Sequence, residues 1–280
     1  MLFLIDPIAF HVGSWPVRWY GIIIAAGILL GFLVANREAK KHGMAEDDLI
    51  DLIVWPIIVG IICARIYYVG FEWHYYKEHL AEIPMIMNGG IAIHGGLIGA
   101  LTTGYFLVKR RNRSFFHMAD LIAPSIILAQ SMGRWGNFMN QEAHGGPVSR
   151  SFLENLMIPD WIINHMQIDG LYYQPTFLYE SLWSLLGFIT LLLIRKHLRI
   201  GQTFLLYAIW YSVGRFFIEG LRTDSLMLTE HLRIAQVISL VIIAVSIITW
   251  IYRSMKYRLP KYGDLNYILR SSNDETHRAS

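Results

Sequence analysis

Seven long apolar segments constrain the fold of this chain more than any other feature of its sequence. A helix that crosses a bilayer needs about 20 mostly apolar residues, and within hydrocarbon its backbone polar groups must be bonded inside the protein. The segments cover residues 17–36, 49–70, 90–108, 117–133, 175–194, 202–219 and 235–252. They predict an all-α, polytopic membrane protein with about seven transmembrane helices.

Composition favours the same class of protein. Hydrophobic residues make up 54% of the 280 residues and charged residues 16%, against roughly 45–50% and about 25% in soluble domains. We expect residues 1–253 to form one transmembrane domain, followed by a polar, basic tail over 254–280. The first ten residues carry no basic segment and no cleavage site follows them, so no removable signal peptide is predicted.

The distribution of basic residues predicts the orientation. Connectors on one side, together with the tail, carry sixteen Lys or Arg, whereas those on the other side carry five. By the positive-inside rule the amino terminus lies outside and the carboxyl-terminal tail in the cytoplasm. The longest connector, residues 134–174, then lies outside and is predicted to form a small ordered extracytoplasmic head.

This topology brings unusual polar side chains to the outer ends of five spans. Groups of this kind are expensive within a membrane and usually line a site or a cavity. We therefore expect a polar cavity open to the outer leaflet. The residues concerned are Tyr20, His94, Arg134, Glu180, Arg215 and Glu219.

The stretch from Gly133 to Pro147 is the richest in such groups. Arg134 alone is compatible with a side chain that reaches the interface as an anchor. Asn137, Asn140 and Glu142 follow it closely, and this number of donors and acceptors favours binding of a phospholipid head group.

Among the other polar residues, the pair Arg215 and Glu219 and the residue His94 each allow two interpretations, and Tyr20 has a structural one. Arg215 and Glu219 have i,i+4 spacing, which predicts a salt bridge with either a structural or a functional role. His94 opens a glycine-rich run that is typical of a helix-packing face, or it takes part in proton transfer. Tyr20 lies beside Trp19 and is typical of an aromatic belt at the interface.

Several other chemistries have no support in the sequence. Cys63 is the single cysteine, so no internal disulfide forms and a cysteine nucleophile is not expected. His74 and His79 have the wrong spacing for two ligands on one helix face, and neither a metal nor a cofactor is predicted. The sequence has no dense basic patch of the kind that binds nucleic acid. A transporter and a lipid-presenting scaffold remain alternatives, although the inner halves of the spans offer few polar groups for a solute path.

Four blocks of sequence, in order, resemble one family. The chain is similar to the prolipoprotein diacylglyceryl transferases, whose pattern Gly-Arg-x-Gly-Asn-Phe-x-Asn-x-Glu followed by Gly matches Gly133 to Gly146. One departure is His144, where some members carry Trp or Tyr. The blocks are His94–Gly96, Gly133–Gly146, Gln174–Ser181 and Tyr211–Glu219.

The resemblance implies a seven-span enzyme of the bacterial plasma membrane. Its partners would be phosphatidylglycerol, the lipobox peptide of a prolipoprotein and membrane lipids. It would move the diacylglyceryl group onto the lipobox cysteine and release glycerol phosphate, as the first step of lipoprotein maturation. The attacking thiol would belong to the substrate.

The resemblance also implies roles for individual residues. Arg134 and Arg215, with Arg222 as a third candidate, would bind the phosphate, and guanidinium groups suit such oxygens. His94 is the candidate base. Glu142 and Glu219 would orient the arginines, and Asn137 and Asn140 would hold the glycerol head group. The remaining candidates near substrate are Tyr20, Tyr211 and Gly145.

Overall fold

The computed structural model describes residues 6–86, 89–229 and 232–264. Most of the predicted tail therefore lies outside the described residues. The elements in chain order are β1 (Ile8–Val12), β2 (Trp15–Arg18), α1 (Trp19–Lys41), α2 (Glu46–Phe71), α3 (Trp73–Tyr76), α4 (Ile93–Arg110), α5 (Phe115–Met139), β3 (Pro147–Val148), α6 (Arg150–Asn155), α7 (Asp160–His165), β4 (Gln167–Ile168), β5 (Leu171–Tyr173), α8 (Thr176–Ile194), α9 (Gln202–Glu219) and α10 (Ile234–Lys256).

The protein is mostly helical, and each predicted apolar segment contains a long helix. Within the described ranges, five helices are long and apolar enough to cross a membrane, namely α1, α2, α5, α8 and α10. The other two, α4 and α9, are 18 residues long and carry polar or charged side chains along that length. A multi-pass membrane protein follows from these helices.

Two small antiparallel sheets depart from the all-α prediction. β1 pairs with β2, and β3, β5 and β4 form a three-stranded sheet in that order. Strands of two to five residues are too short to give an alternating pattern in the sequence. Asp169 and Gly170, with φ of 51° and 83°, form the two-residue turn between β4 and β5, which Asp-Gly favours.

The chain forms two compact units. The second unit is Asn36–Met118, and the first comprises the described residues before and after it. In the first unit, residues 134–174 fold around a small apolar core that includes the ends of α5 and α8, as expected for an ordered segment. The buried members of this core are Phe138, Leu153, Ile158, Ile162, Ile163, Met166 and Phe177.

The start of α9 is capped by a side chain from another helix. Asp120 on α5 is fully buried and accepts hydrogen bonds from the backbone N–H groups of Gly201 (2.5 Å) and Phe204 (2.8 Å). The first N–H groups of a helix lack intrahelical partners, and α9 has no cap from its own preceding residue. Asp120 therefore fixes α9 at one end.

In the second unit, α2 and α4 pack closely through glycines. A Cβ on Gly99 would lie 2.6 Å from Cβ of Cys63, and one on Gly60 would lie 3.2 Å from the carbonyl oxygen of Gly96. The helix-packing interpretation of the run after His94 is therefore confirmed. This packing fixes the start of α4.

Candidate active site

Four charged side chains from three helices of the first unit form one ion-pair cluster. Arg134 Nε lies 2.7 Å from Glu180 Oε2, and Arg215 Nη1 lies 2.8 Å from Glu180 Oε1. Arg215 Nη2 lies 2.5 Å from Glu219 Oε2, which confirms the predicted i,i+4 pair. Glu180 therefore joins the two arginines, each oxygen contacting one guanidinium group.

A pair of tryptophans sets the position of α8 against α9. The indole N–H of Trp183 donates to the carbonyl of Trp210 (2.8 Å), and that of Trp210 donates to the carbonyl of Trp183 (3.0 Å). The rings stack with centroids 4.8 Å apart. Glu180 lies one turn before Trp183, so the same contact that joins the helices brings Glu180 to Arg215.

The cluster balances its charges but keeps donors open. The side chains of Glu180 and Glu219 are buried, with exposures of 7% and 4%. The side chains of Arg134 and Arg215 are each 19% exposed. Charges out of water are tolerated when they are paired in this way. Each guanidinium has five N–H donors, and the described residues contact only some of them on Arg215. The open donors suit an anionic oxygen.

Glu219 Oε2 is a special case within the cluster. It is buried and has no aligned hydrogen bond among the described residues, although it is 2.5 Å from Arg215. The contact is therefore an ion pair with poor hydrogen-bond geometry. This oxygen keeps acceptor capacity, while the backbone carbonyl of Glu219 accepts a close hydrogen bond from Arg233.

Amide side chains extend the cluster past the end of α5. Asn137 and Asn140 both donate to Glu142 Oε1, at 2.9 and 3.4 Å, and Arg134 Nη1 lies 3.5 Å from Asn137 Oδ1. Glu142, which we expect to orient the arginines, therefore reaches Arg134 through Asn137. Asn140 Oδ1 is buried and accepts no hydrogen bond from a described residue. It is an open acceptor for a hydroxyl.

Gly145 and Arg222 come together at the edge of the cluster. They form an isolated antiparallel bridge, and a Cβ on Gly145 would lie 2.7 Å from Cβ of Gln174 and 3.2 Å from the Leu221 carbonyl. A side chain therefore does not fit there. Tyr211, another candidate, also reaches the cluster: its Oη accepts a hydrogen bond from Arg134 Nη2 at 3.2 Å.

Asp224 holds Arg222 in a fixed position. Arg222 Nε and Nη2 donate to the two carboxylate oxygens at 3.0 and 2.8 Å. These hydrogen bonds hold the pKa of Asp224 below its usual range. A lowered pKa means that the pair is intact above the unfolded pKa of about 4 and weakens only as the pH falls toward the folded value. Arg222 is therefore held equally from pH 6 to 9.

Tyr20 and His94 belong to different units. The ring of Tyr20 covers Gly136, where a Cβ would lie 2.6 Å from Tyr20 Cδ2, so this tyrosine borders the cluster on the α5 side. His94 is an exposed residue at the start of α4 in the second unit, with its ring centroid 6.3 Å from that of Tyr67. Its ring nitrogens have no hydrogen-bond partner among the described residues.

Three residues that organise this site, namely Glu180, Trp183 and Asp224, have no role that their sequence pattern predicts. Glu180 was recognised as polar, and its being an acidic residue in an otherwise apolar helix is a signal that points to a partner. Asp224 and Trp183 gave no such signal, since their partners are set by folding. Across the described ranges, no group of three His, Cys, Asp or Glu side chains is arranged to hold a metal ion.

Comparison with known proteins identifies the family of the chain. The family model described as prolipoprotein diacylglyceryl transferase matches residues 7–252. A phosphatidylglycerol–prolipoprotein diacylglyceryl transferase of Staphylococcus xylosus is 61% identical over 261 residues, covering 93% of this chain and 94% of the relative. The proteins of the same name from Staphylococcus carnosus (strain TM300) and Staphylococcus aureus (strain JH9) are 61% and 58% identical, over 93% and 92% of this chain and 95% and 93% of their own lengths. The chain therefore belongs to the prolipoprotein diacylglyceryl transferase family.

Proposed function

We propose that this chain transfers the diacylglyceryl group of phosphatidylglycerol to the thiol of a prolipoprotein lipobox cysteine. The relatives are named for these two substrates. The observation that carries the proposal is the pair of arginines joined by Glu180, with N–H donors still open toward an anion. The products are a thioether-linked prolipoprotein and glycerol phosphate, and the reaction is the first step of bacterial lipoprotein maturation.

The reaction exchanges one carbon–oxygen bond for one carbon–sulfur bond. The substrate thiolate attacks the terminal glyceryl carbon of the diacylglyceryl group, and the electrons of the carbon–oxygen bond move to the phosphate oxygen. Arg134 and Arg215 offset the charge that grows on this oxygen, a task for which fixed guanidinium donors in a site shielded from water are well suited. Arg222 is a third candidate donor, with its Nε 4.0 Å from Glu219 Oε2.

The glycerol head group is assigned to the amide side of the site. The open acceptor of Asn140 suits a glycerol hydroxyl, and the Asn137 amide is held by Glu142 at 2.9 Å. Tyr20, Tyr211 and Gly145 border this region. The role of Glu142 is thus to fix the asparagines, and Glu180 and Glu219 orient the arginines.

The thiol proton must leave before or during the attack. A free thiol has a pKa of about 8.5, so a base raises the thiolate fraction near neutral pH. We assign this role to His94, an exposed residue whose ring nitrogens have no hydrogen-bond partner among the described residues. If His94→Gln kept wild-type turnover from pH 6 to 9, this assignment would be dropped.

The proposed topology uses seven spans. They are the five apolar helices together with α4 and α9, with the amino terminus outside and the basic tail in the cytoplasm of a bacterial cell. Residues 134–174 then form a head on the outer face, next to the arginines. Charge distribution supports this orientation.

One assay tests the function against its rivals. Purified protein is incubated with phosphatidylglycerol and a lipobox peptide, and glycerol phosphate release and the gain in peptide mass are followed. A transporter or a lipid-presenting scaffold yields neither product. Folded protein without release would overturn the proposal.

A matched pair of variants tests the phosphate site. Arg134→Ala should lower turnover by about a hundredfold or more, in line with the loss of one fixed donor to a developing charge. Arg150→Ala removes an arginine from an ion-pair group of the head and should leave turnover close to wild type. Normal processing by Arg134→Ala would show that this guanidinium does not hold the phosphate.

A further inference from the structure

The short helices α6 and α7 expose apolar side chains although their core-facing positions are already filled. Leu153 and Ile163 are buried in the head core, so the core needs no further apolar residues from this segment. Four large side chains remain exposed beside it. We call them the apolar edge: Phe152, Leu156, Met157 and Trp161.

Polar side chains of the same two helices lie elsewhere. Arg150 Nε contacts Glu154 at 2.7 Å, and Arg150 Nη2 contacts Asp160 at 2.8 Å. At 100° per residue, Glu154 points about 160° away from Phe152 and from Leu156. The segment thus has a core side, a charged side and the apolar edge, and this third surface needs a partner.

The depth of the apolar edge is set by its contact with α5. Trp161 stacks on Trp135 with centroids 6.0 Å apart and an angle of 19°. Trp135 lies four residues before the end of α5, or about 6 Å along the helix axis. It also contacts Phe177, the second residue of α8, with centroids 5.4 Å apart. Trp161 is therefore level with the ends of two membrane-spanning helices.

We propose that the apolar edge inserts into the outer leaflet at the boundary between head groups and acyl chains. Tryptophan prefers this depth, and short amphipathic segments lie in this plane with their apolar side in lipid. Met157, 90% exposed, would be among the most deeply embedded of the four. The head is then held against the surface from which the lipid substrate enters.

This inference rests on the proposed placement of α5 and α8 as spans and not on the transfer chemistry. The inference would still hold for a chain that spanned the membrane but had no transferase activity. A prolipoprotein peptide is the other class of partner for an apolar surface, and the experiment must separate it from lipid.

A fluorescent label on a single cysteine reads the environment directly. In a Cys63→Ala background, Met157→Cys and, as the matched control, Glu154→Cys are labelled with a nitrobenzoxadiazole dye. The side chain of Met157 has no described polar contact, and Arg150 keeps its ion pair with Asp160 when Glu154 is replaced. The proteins are reconstituted in vesicles of phosphatidylglycerol and phosphatidylcholine that carry a nitroxide high on the acyl chain.

The expected result is a blue-shifted emission at position 157 that loses most of its intensity to the lipid nitroxide, whereas the label at 154 keeps both its emission wavelength and its intensity. Equal exposure of the two labels to water would overturn the proposal. So would protection of position 157 that appears only after a lipobox peptide is added, because the partner would then be the peptide.

Discussion

Gly145 has no side chain, and neighbouring atoms beside the charged site occupy the position that a Cβ would take. Its backbone lies against residues Gln174 and Leu221 and pairs with Arg222. The neighbouring Gly146 has no atom within 4 Å of where its Cβ would be. The two adjacent glycines therefore differ in what a methyl group would do.

We expect Gly145→Ala to lower turnover and Gly146→Ala to leave it close to wild type. The new methyl group at 145 must push backbone atoms apart, at a cost of about 1 to 3 kcal/mol, which would shift Arg222 and slow transfer about tenfold or more. Turnover of the two variants in the same assay measures this. Equal activities would show that the close approach has no bearing on the site.

Residue types and their spacing alone predicted three of the four charged members of the ion-pair cluster. Arg134, Arg215 and Glu219 were predicted from charges in apolar segments, and the pair on one helix followed from its spacing. The bridging role of Glu180 was not predictable, because it depends on how α8 turns against two other helices.

At the scale of elements, α9 is fixed at one end by Asp120 and along its length by the tryptophan contact with α8. Helix positions were predictable to within a few residues, because membrane-spanning segments must be long and apolar. The strands were not predictable because they are very short. The cap was not predictable because Asp120 is distant in sequence from the start of α9.

Removal of the Asp120 carboxylate should loosen α9. Loss of an N-terminal cap costs about 1 to 2 kcal/mol, so Asp120→Ala should lower the thermal unfolding temperature of the purified protein in detergent. Asp120→Asn keeps one oxygen acceptor and should lose less. An unchanged unfolding temperature for Asp120→Ala would mean that the two backbone hydrogen bonds contribute little.

At the scale of the whole molecule, the orientation of the chain decides which substrates reach the site. In the proposed orientation the head lies outside the plasma membrane, where a lipobox peptide would reach the site, and the basic tail lies in the cytoplasm. This orientation was predicted from the numbers of Lys and Arg residues in the connectors. The prediction depends on the whole chain and on no contact between particular residues.

Cysteine labelling checks this orientation. In a Cys63→Ala background, Asn155→Cys should react with a membrane-impermeant maleimide in intact protoplasts, and Arg258→Cys should not. Both should react after the membrane is made permeable, which serves as the control. Labelling of position 258 alone in intact protoplasts would reverse the proposed topology.

The carboxylates that bridge the arginines also bear on how the reaction ends. Glu180 holds both guanidinium groups through some of their N–H donors, and the phosphate would bind the same two groups through the open ones. The negative charge of Glu180 therefore weakens the attraction of these groups for an anionic product. We expect this effect to speed the release of glycerol phosphate from the site after transfer. Glu180→Gln should therefore turn over more slowly and yet be inhibited by lower concentrations of added glycerol phosphate than the wild type. If product inhibition were unchanged, the carboxylate would orient the arginines without hastening release.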